Sequence, residues 1–370
     1  MTITRFTFSR RTRRIRSDVA GLLFLSAATL VTGGAQASSA GFVATLGGSV
    51  SSVSNFNSAG GANTVTILGT GQFQVVLHGL GNSLNSNVEI NAYNTNGHPH
   101  ICTSQGWTSA NGVDVTAYVG CYDFAGNPYS GDFSLFYQSR STATGGWAGY
   151  IWADQPSAAS YTPNVNYNYN NRGGSNTVTR QSAGVYTVTF PGLRAGGNPQ
   201  VTAYSGYGSG PSAHCELSGW TTGRATTTTV GVLCFNASGA PADEYFNLAY
   251  NQSSLEGEGM VSGLWAYAFN PTKRNYTPHL YYTEIGGVYP TAQRFGVPLG
   301  QYSLTASNPG GRQPLPLLGM VSAAGTGGEY CEVEGYDDFT NSFDMNLVCY
   351  DSQERQTNVA YSGAMFFELP

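Results

Sequence analysis

Glu332 and Glu334 stand two residues apart in the stretch CEVEGYDD, with Asp337 and Asp338 close behind. On an extended strand that spacing puts both carboxyls on one face. Paired carboxylates are the working groups of glycoside hydrolysis, and hard oxygens at this density also suit calcium. Glu256 and Glu258, flanking Gly257 in SLEGEGM, form a second pair. Acids that simply face water on an acidic surface are commoner than either site. Glu332, Glu334 and Asp337 therefore stand as weak calcium candidates, and no metal, cofactor or catalytic residue is expected.

His98 and His100 flank Pro99, but the other parts of the chain offer no third ligand, and a defined metal site needs three or four. The stretch GYGSG from Gly206 to Gly210 lies in a glycine-rich loop between strands. A nucleophile elbow needs a strand-to-helix turn, which this setting does not provide.

The strongest pattern is a phrase written three times: CTSQGW from Cys102 to Trp107, CELSGW from Cys215 to Trp220, and CEVEGY from Cys331 to Tyr336. The first cysteines are 113 and 116 residues apart, a domain-sized period. Gly60–Leu80 parallels Gly173–Leu193, with Phe295–Ala306 as a third version. FSLFY, FNLAY and TNVAY follow the second cysteines. IWADQPSAASYTP matches AYAFNPTKRNYTP, which places joints after residues 159 and 274. The expected modules are 38–159, 160–274 and 275–370.

Within each module the apolar period is two: Phe73, Val75, Leu77; Tyr186, Val188, Phe190; Tyr302, Leu304, Ala306. Alternation of this kind buries one face of a strand. Short strands separated by Gly, Asn and Pro turns, with no helical period, predict an all-β chain. It should form three tandem antiparallel β-sandwich modules of about 110 residues. The sequence is compatible with a linear string and with a closed triangle of modules.

Each module holds two cysteines, and the pairing that respects the repeat is Cys102–Cys121, Cys215–Cys234 and Cys331–Cys349. Val113, Val115, Ala117 and Val119 share parity with Cys121, so the sulfurs should point inward. Such a loop closure contributes ~3 kcal/mol in the chain-entropy model. Asp123, Asn236 and Asp351, each after a Cys-aromatic pair, suit side-chain-capped turns.

Trp107, Trp220 and Tyr336 end the phrase. Odd spacing from the cysteine points them to solvent, where they could stack on a sugar. A bulge at Gly106, Gly219 or Gly335 would turn them inward instead, and that packing role is favoured. YTPNVNYNYN, from Tyr161 to Asn170, reads as alternating: Val165, Tyr167 and Tyr169 on one face, Asn164, Asn166, Asn168 and Asn170 on the other. Tyr167, Tyr169, Asn166 and Asn168 are further candidates for sugar contacts, against the plainer reading of a wet strand face.

Arg5, Arg10, Arg11, Arg13, Arg14 and Arg16 precede an apolar run from Val19 to Val31 and then Ala35-Gln36-Ala37. This predicts a secretory signal peptide (residues 1–37), cleaved after Ala37, and a secreted product without a membrane span. Cleavage would leave ten basic and twenty acidic residues, because the leader takes six arginines and Asp18 from totals of 16 and 21. Nucleic acid is thereby disfavoured as a partner. The leading expectation is a non-catalytic binder of polysaccharide, cell-surface glycan or matrix. The alternatives are a polysaccharide-degrading enzyme of glycoside hydrolase type and a structural spacer.

Overall fold

The computed structural model describes residues 39–368 apart from 82–84, 110, 140–146, 207–212, 253–260, 284–288, 297, 308–316 and 340–341. The expected leader and the Glu256/Glu258 pair lie outside the described residues, as does most of GYGSG. The rest is β-structure with a single 3-10 turn, Val165–Tyr167.

Copy 1 runs β1 (Ser39–Leu46), β2 (Ser49–Asn57), β3 (Asn63–Gly69), β4 (Gln72–Leu77), β5 (Ser86–Tyr93), β6 (Ile101–Thr108), β7 (Val115–Tyr122) and β8 (Asp132–Ser139). Copy 2 runs β9 (Ala148–Ala153), β10 (Ser160–Tyr161), β11 (Asn168–Asn170), β12 (Thr177–Ser182), β13 (Val185–Pro191), β14 (Asn198–Tyr204), β15 (His214–Trp220), β16 (Thr227–Phe235) and β17 (Tyr245–Asn251). Copy 3 runs β18 (Val261–Ala268), β19 (Asn275–Tyr276), β20 (Tyr281–Thr283), β21 (Pro290–Arg294), β22 (Gln301–Ser307), β23 (Leu317–Ala324), β24 (Tyr330–Phe339), β25 (Ser342–Tyr350) and β26 (Ala360–Glu368).

Each copy is a sandwich, and the alternating strands build its core. Phe73, Val75 and Leu77 of β4 face Val115, Ala117 and Val119 of β7, with Val88 and Ile90 of β5 and Phe133 and Leu135 of β8 closing the other layer. Val113, expected to share that inward parity, lies ahead of β7 and is 61% exposed. Strand pairing runs across the expected joints. β9 pairs with β17 and β11, and Ile151 and Ala153 lie in copy 2's core; Leu264, Ala266 and Ala268 of β18 lie in copy 3's core.

The three disulfides form within the copies as expected, each across directly opposed residues of neighbouring antiparallel strands, with Cα–Cα distances of 4.1, 4.1 and 4.0 Å. The turns after the second cysteines also form: Asp123 Oδ1 accepts Asn127 N–H, Asn236 Oδ1 accepts Ala240 N–H, and Asp351 Oδ1 accepts Arg355 N–H. One alignment needs correcting. Phe133, Phe246 and Tyr361 pair with Ala92, Ala203 and Ala323, so the third counterpart of FSLFY is YSGAM, not TNVAY.

The copies do not form a string. Three sheets run through the molecule, of nine, nine and eight strands, and each is half one copy and half the next. β6 of copy 1 joins β14 of copy 2 at Ser104↔Tyr204. β15 of copy 2 joins β23 of copy 3 at Leu217↔Ala324. β24 of copy 3 joins β5 of copy 1 at Val333↔Tyr93. All three junctions are parallel and sit at equivalent positions, so the chain closes into a triangle. Between the inner layers of the first and last copies lies an apolar cluster that includes Phe42, Phe136, Leu318, Met320 and Phe366. The Phe136 and Phe366 rings stack at 4.2 Å there.

Candidate functional site

The repeated phrase lies on the strands that make these seams, and each of its positions has a local task. A register shift falls at Ser104/Gly106, at Leu217/Gly219 and at Val333/Gly335, so the expected glycine bulges are present in all three copies. Gly106 and Gly219 have φ of 126° and 133°, a region that L side chains rarely adopt. The bulge reverses side-chain parity after the cysteine, and the final aromatic turns away from solvent.

That aromatic packs at the seam. Trp107 is 7% exposed, lies 5.1 Å edge-on to Tyr167 of copy 2, and donates its indole N–H to Ser86 at 2.8 Å. Trp220 lies 4.4 Å from Tyr267 of copy 3. Tyr336 lies 5.6 Å from Tyr93 of copy 1 and accepts Gly319 N–H at 2.7 Å. Burial pushes the Tyr336 hydroxyl's pKa upward.

The residue after the first cysteine reaches across the same seam into the loop before the next copy's phrase. Thr103 Oγ1 lies 2.9 Å from Ser205 Oγ. Glu216 accepts Gly328 N–H and Glu329 N–H, each at 3.1 Å. Glu332 accepts His100 N–H at 2.6 Å and the Asn94 side-chain amide at 2.7 Å. A backbone bond accompanies each: Ser205 N–H to Ser104 O, Gly325 N–H to Leu217 O, and Asn94 N–H to Val333 O.

At the centre the latches continue. Thr202 Oγ1 accepts Ile90 N–H at 2.9 Å, Ser322 Oγ accepts Val201 N–H at 2.9 Å, and Asn91 Nδ2 donates to Val321 O at 3.1 Å. Asn91, Thr202 and Ser322 are equivalent positions, so the three copies grip one another in a cycle. With their neighbours they line a cavity of ≈ 50 Å³, room for a few waters.

Of the paired carboxyls, Glu332 is a seam residue, and Glu89 and Glu216 are buried at seams as well. Burial pushes Glu89 up to about 8, against the hydrogen bonds from Asn87 and Thr202 that pull it down. Burial, and then the nearby Glu329 carboxyl, raise Glu216 to about 9, and burial holds Glu332 well above the carboxylic range. The hydrogen bonds that Glu89 and Glu332 accept favour the ionised form, as do the backbone bonds to Glu216, but the loss of water is the larger effect in each. Glu334 is half-buried, and Asp337 accepts the Asn346 side-chain amide at 2.7 Å. Among the described residues no group of three or more His, Cys, Asp or Glu is placed to hold a metal, so the calcium candidates do not converge. His98 and His100 both pack on Tyr129, at 4.7 and 5.3 Å, with His98 exposed and His100 buried with its Nε2 2.8 Å from Asp132 O.

The Asn/Tyr segment differs from the alternating strand expected. Asn164 caps the 3-10 turn by accepting Asn166 N–H, and only Asn168–Asn170 is extended. The amides bond to one another rather than standing free. Asn176 Nδ2 donates to Asn168 Oδ1 at 2.7 Å, and Asn170 Nδ2 donates to Asn176 Oδ1 at 2.8 Å. Asn55, Asn57 and Asn63 repeat this network in copy 1. The signal for it was present as N-x-N-x-x-G-G-x-N at Asn55–Asn63 and Asn168–Asn176. Asn166 is exposed, and Tyr169 packs 5.3 Å from Tyr150.

One seam carries more than packing. Between copies 1 and 2, Trp152 lies 5.3 Å from Tyr167, 5.1 Å from Tyr204 and 6.3 Å from Tyr245. Trp152, Tyr167 and Tyr204 are half-buried and Tyr245 is 41% exposed. Beneath this aromatic face, Trp152 Nε1 and Asp154 Oδ1 are buried without a hydrogen-bond partner among the described residues. Burial raises the Asp154 carboxyl. Sequence reading reached Tyr167 but missed Trp152, Tyr204 and Tyr245, which come from separate strands. The chain matches no family model, no curated protein and no solved structure.

Proposed function

We propose that this is an exported, non-catalytic protein that binds carbohydrate through the aromatic face at the seam between copies 1 and 2. The observation that supports the reading is the cluster of Trp152, Tyr167, Tyr204 and Tyr245, which is part-exposed. Aromatic faces stack on the C–H surfaces of sugar rings while nearby polar groups meet the hydroxyls. Export draws support from the arginine-rich, apolar leader and from three disulfides, which persist in oxidising compartments. Among the described residues no helix is long and apolar enough to cross a membrane.

The spacer alternative keeps one favouring observation: all three copies of the phrase serve ring closure, which a rigid structural protein also needs. A panel of soluble polysaccharides, titrated against the protein's tryptophan fluorescence, separates the two. Binding by the wild type that weakens about tenfold or more in Trp152→Ala supports the carbohydrate reading, tenfold being ~1.4 kcal/mol. A flat response to the whole panel contradicts it.

A further inference from the structure

The three copies treat their sheet edges differently. In copies 2 and 3 a two-residue strand from the preceding linker covers the edge: β10 pairs with β12 at Tyr161↔Val178, and β19 pairs with β21 at Tyr276↔Ala292. Each cover runs on into Thr-Pro, and proline cannot extend a ladder. In copy 1 the chain instead makes a tight β1–β2 turn through Gly47 and Gly48, and β3 pairs only with β4 among the described strands.

Exposure records the difference. Val178 is fully buried, whereas its counterpart Val65 is only half-buried, and beyond it Ile67 and Leu68 are 58% and 45% exposed. The uncovered strand has a bulge between Ile67 and Gly69, as β12 has between Arg180 and Ser182, but no charge or proline protects the rest of its length. No Asp, Glu, Lys or Arg occurs between Asp18 and Glu89, and no proline interrupts β3. β12, by contrast, carries Arg180, paired with Asp243 at 2.8 Å. A long, uncharged, apolar edge is a template for another strand.

We propose that β3 is a self-association edge, through which two molecules of this chain pair antiparallel and join their eight-stranded sheets into one. A second copy is the occupant that the chemistry selects. An antiparallel strand related to its mate by a twofold axis presents the same row of N–H and C=O groups, so it complements itself. The chain carries a net charge of −5, and the charge-free stretch is where two such molecules repel least. Ile67 and Leu68 would then pack against their own images, and the twofold closes the assembly at a dimer. This inference does not rest on the carbohydrate reading.

Sedimentation equilibrium of the exported protein over a concentration series tests it. A monomer–dimer equilibrium is expected, abolished by Ile67→Lys, with the melting temperature unchanged when both proteins are dilute enough to be monomers. It should be kept in Val165→Lys, whose site precedes β11 at the opposite end of the same sheet. Hydrogen exchange on the unmodified protein gives a readout that needs no variant: amides of Thr64–Leu68 should exchange faster on dilution. A monomer at every concentration, open-ended oligomers, a dimer unaffected by Ile67→Lys, or β3 exchange independent of concentration would each overturn the proposal.

Discussion

Glu332, in the last copy, accepts the backbone N–H of His100, in the first, at 2.6 Å. The two residues are 232 positions apart, and their contact closes the triangle at the seam between the chain's first and last copies. Glu332 also takes the Asn94 amide, while Asn94 Oδ1 is buried without a partner. Glu332→Gln can keep the His100 bond, and a flipped Asn94 amide can accept from the new NH2 group. Its stability should stay within about 1 kcal/mol of wild type. Glu332→Ala strands two buried donors and should cost ~2–4 kcal/mol. Urea unfolding of both variants checks this, and equal losses would count against the latch.

The seam carboxyls set a pH dependence. Glu89 and Glu216 titrate at about 8 and about 9 in the folded protein, above the ordinary value of 4.5, chiefly through burial. Their stabilising contribution is complete below the unfolded value and is lost as pH rises through 8–9. His214 works in the other direction: burial lowers it to about 4, so acidification from 6.5 towards 4 favours the unfolded chain. Melting temperature should therefore fall on both sides of mildly acidic pH. The double variant Glu89→Gln/Glu216→Gln should make the alkaline limb shallower and leave the acid limb unchanged, with Glu332 still contributing to the alkaline loss.

The bulge glycines should resist substitution. An added Cβ at Gly106 would meet the Tyr204 hydroxyl at 3.3 Å with φ at 126°. At Gly219, with φ at 133°, it would meet nothing within 4 Å. Gly219→Ala thus isolates the backbone strain, about 1–3 kcal/mol, and Gly106→Ala should cost at least as much. Chemical denaturation of the two variants makes the comparison.

Each disulfide is internal to its copy, and non-reducing peptide maps should join Cys102 to Cys121, Cys215 to Cys234 and Cys331 to Cys349. Replacing one pair, as in Cys215→Ser/Cys234→Ser, should cost about 2–5 kcal/mol, measured as a shift in the unfolding midpoint.

The sandwich, the pairing of the cysteines and the glycine bulges were legible because each rests on local pattern: a period of two, a fixed cysteine spacing, a glycine where parity must change. The third FSLFY counterpart was misplaced although Phe133, Phe246 and Tyr361 all lie twelve residues after their cysteines; the eye followed residue types, and YSGAM has few in common. The seams were hidden for a deeper reason. Thr103 does with a hydroxyl what Glu216 and Glu332 do with carboxyls, and Asn91, Thr202 and Ser322 share one job with an amide and two hydroxyls, so sequence similarity reveals the set only in part. Their partners lie in another copy, beyond any local window. Glu332 read as one more surface acid for the same reason, because an acid on a strand looks alike whether it meets water, a ligand or a neighbour's backbone.

Ring closure is the claim on which the seam assignments depend, and small-angle X-ray scattering of the protein tests it most directly. Three sandwiches closed into one compact body of this length should give a radius of gyration of about 20 Å, whereas a string of three would give roughly 30 Å. A value near the first, unchanged by dilution once any dimer has dissociated, is the predicted result. A value near the second would contradict the closed triangle.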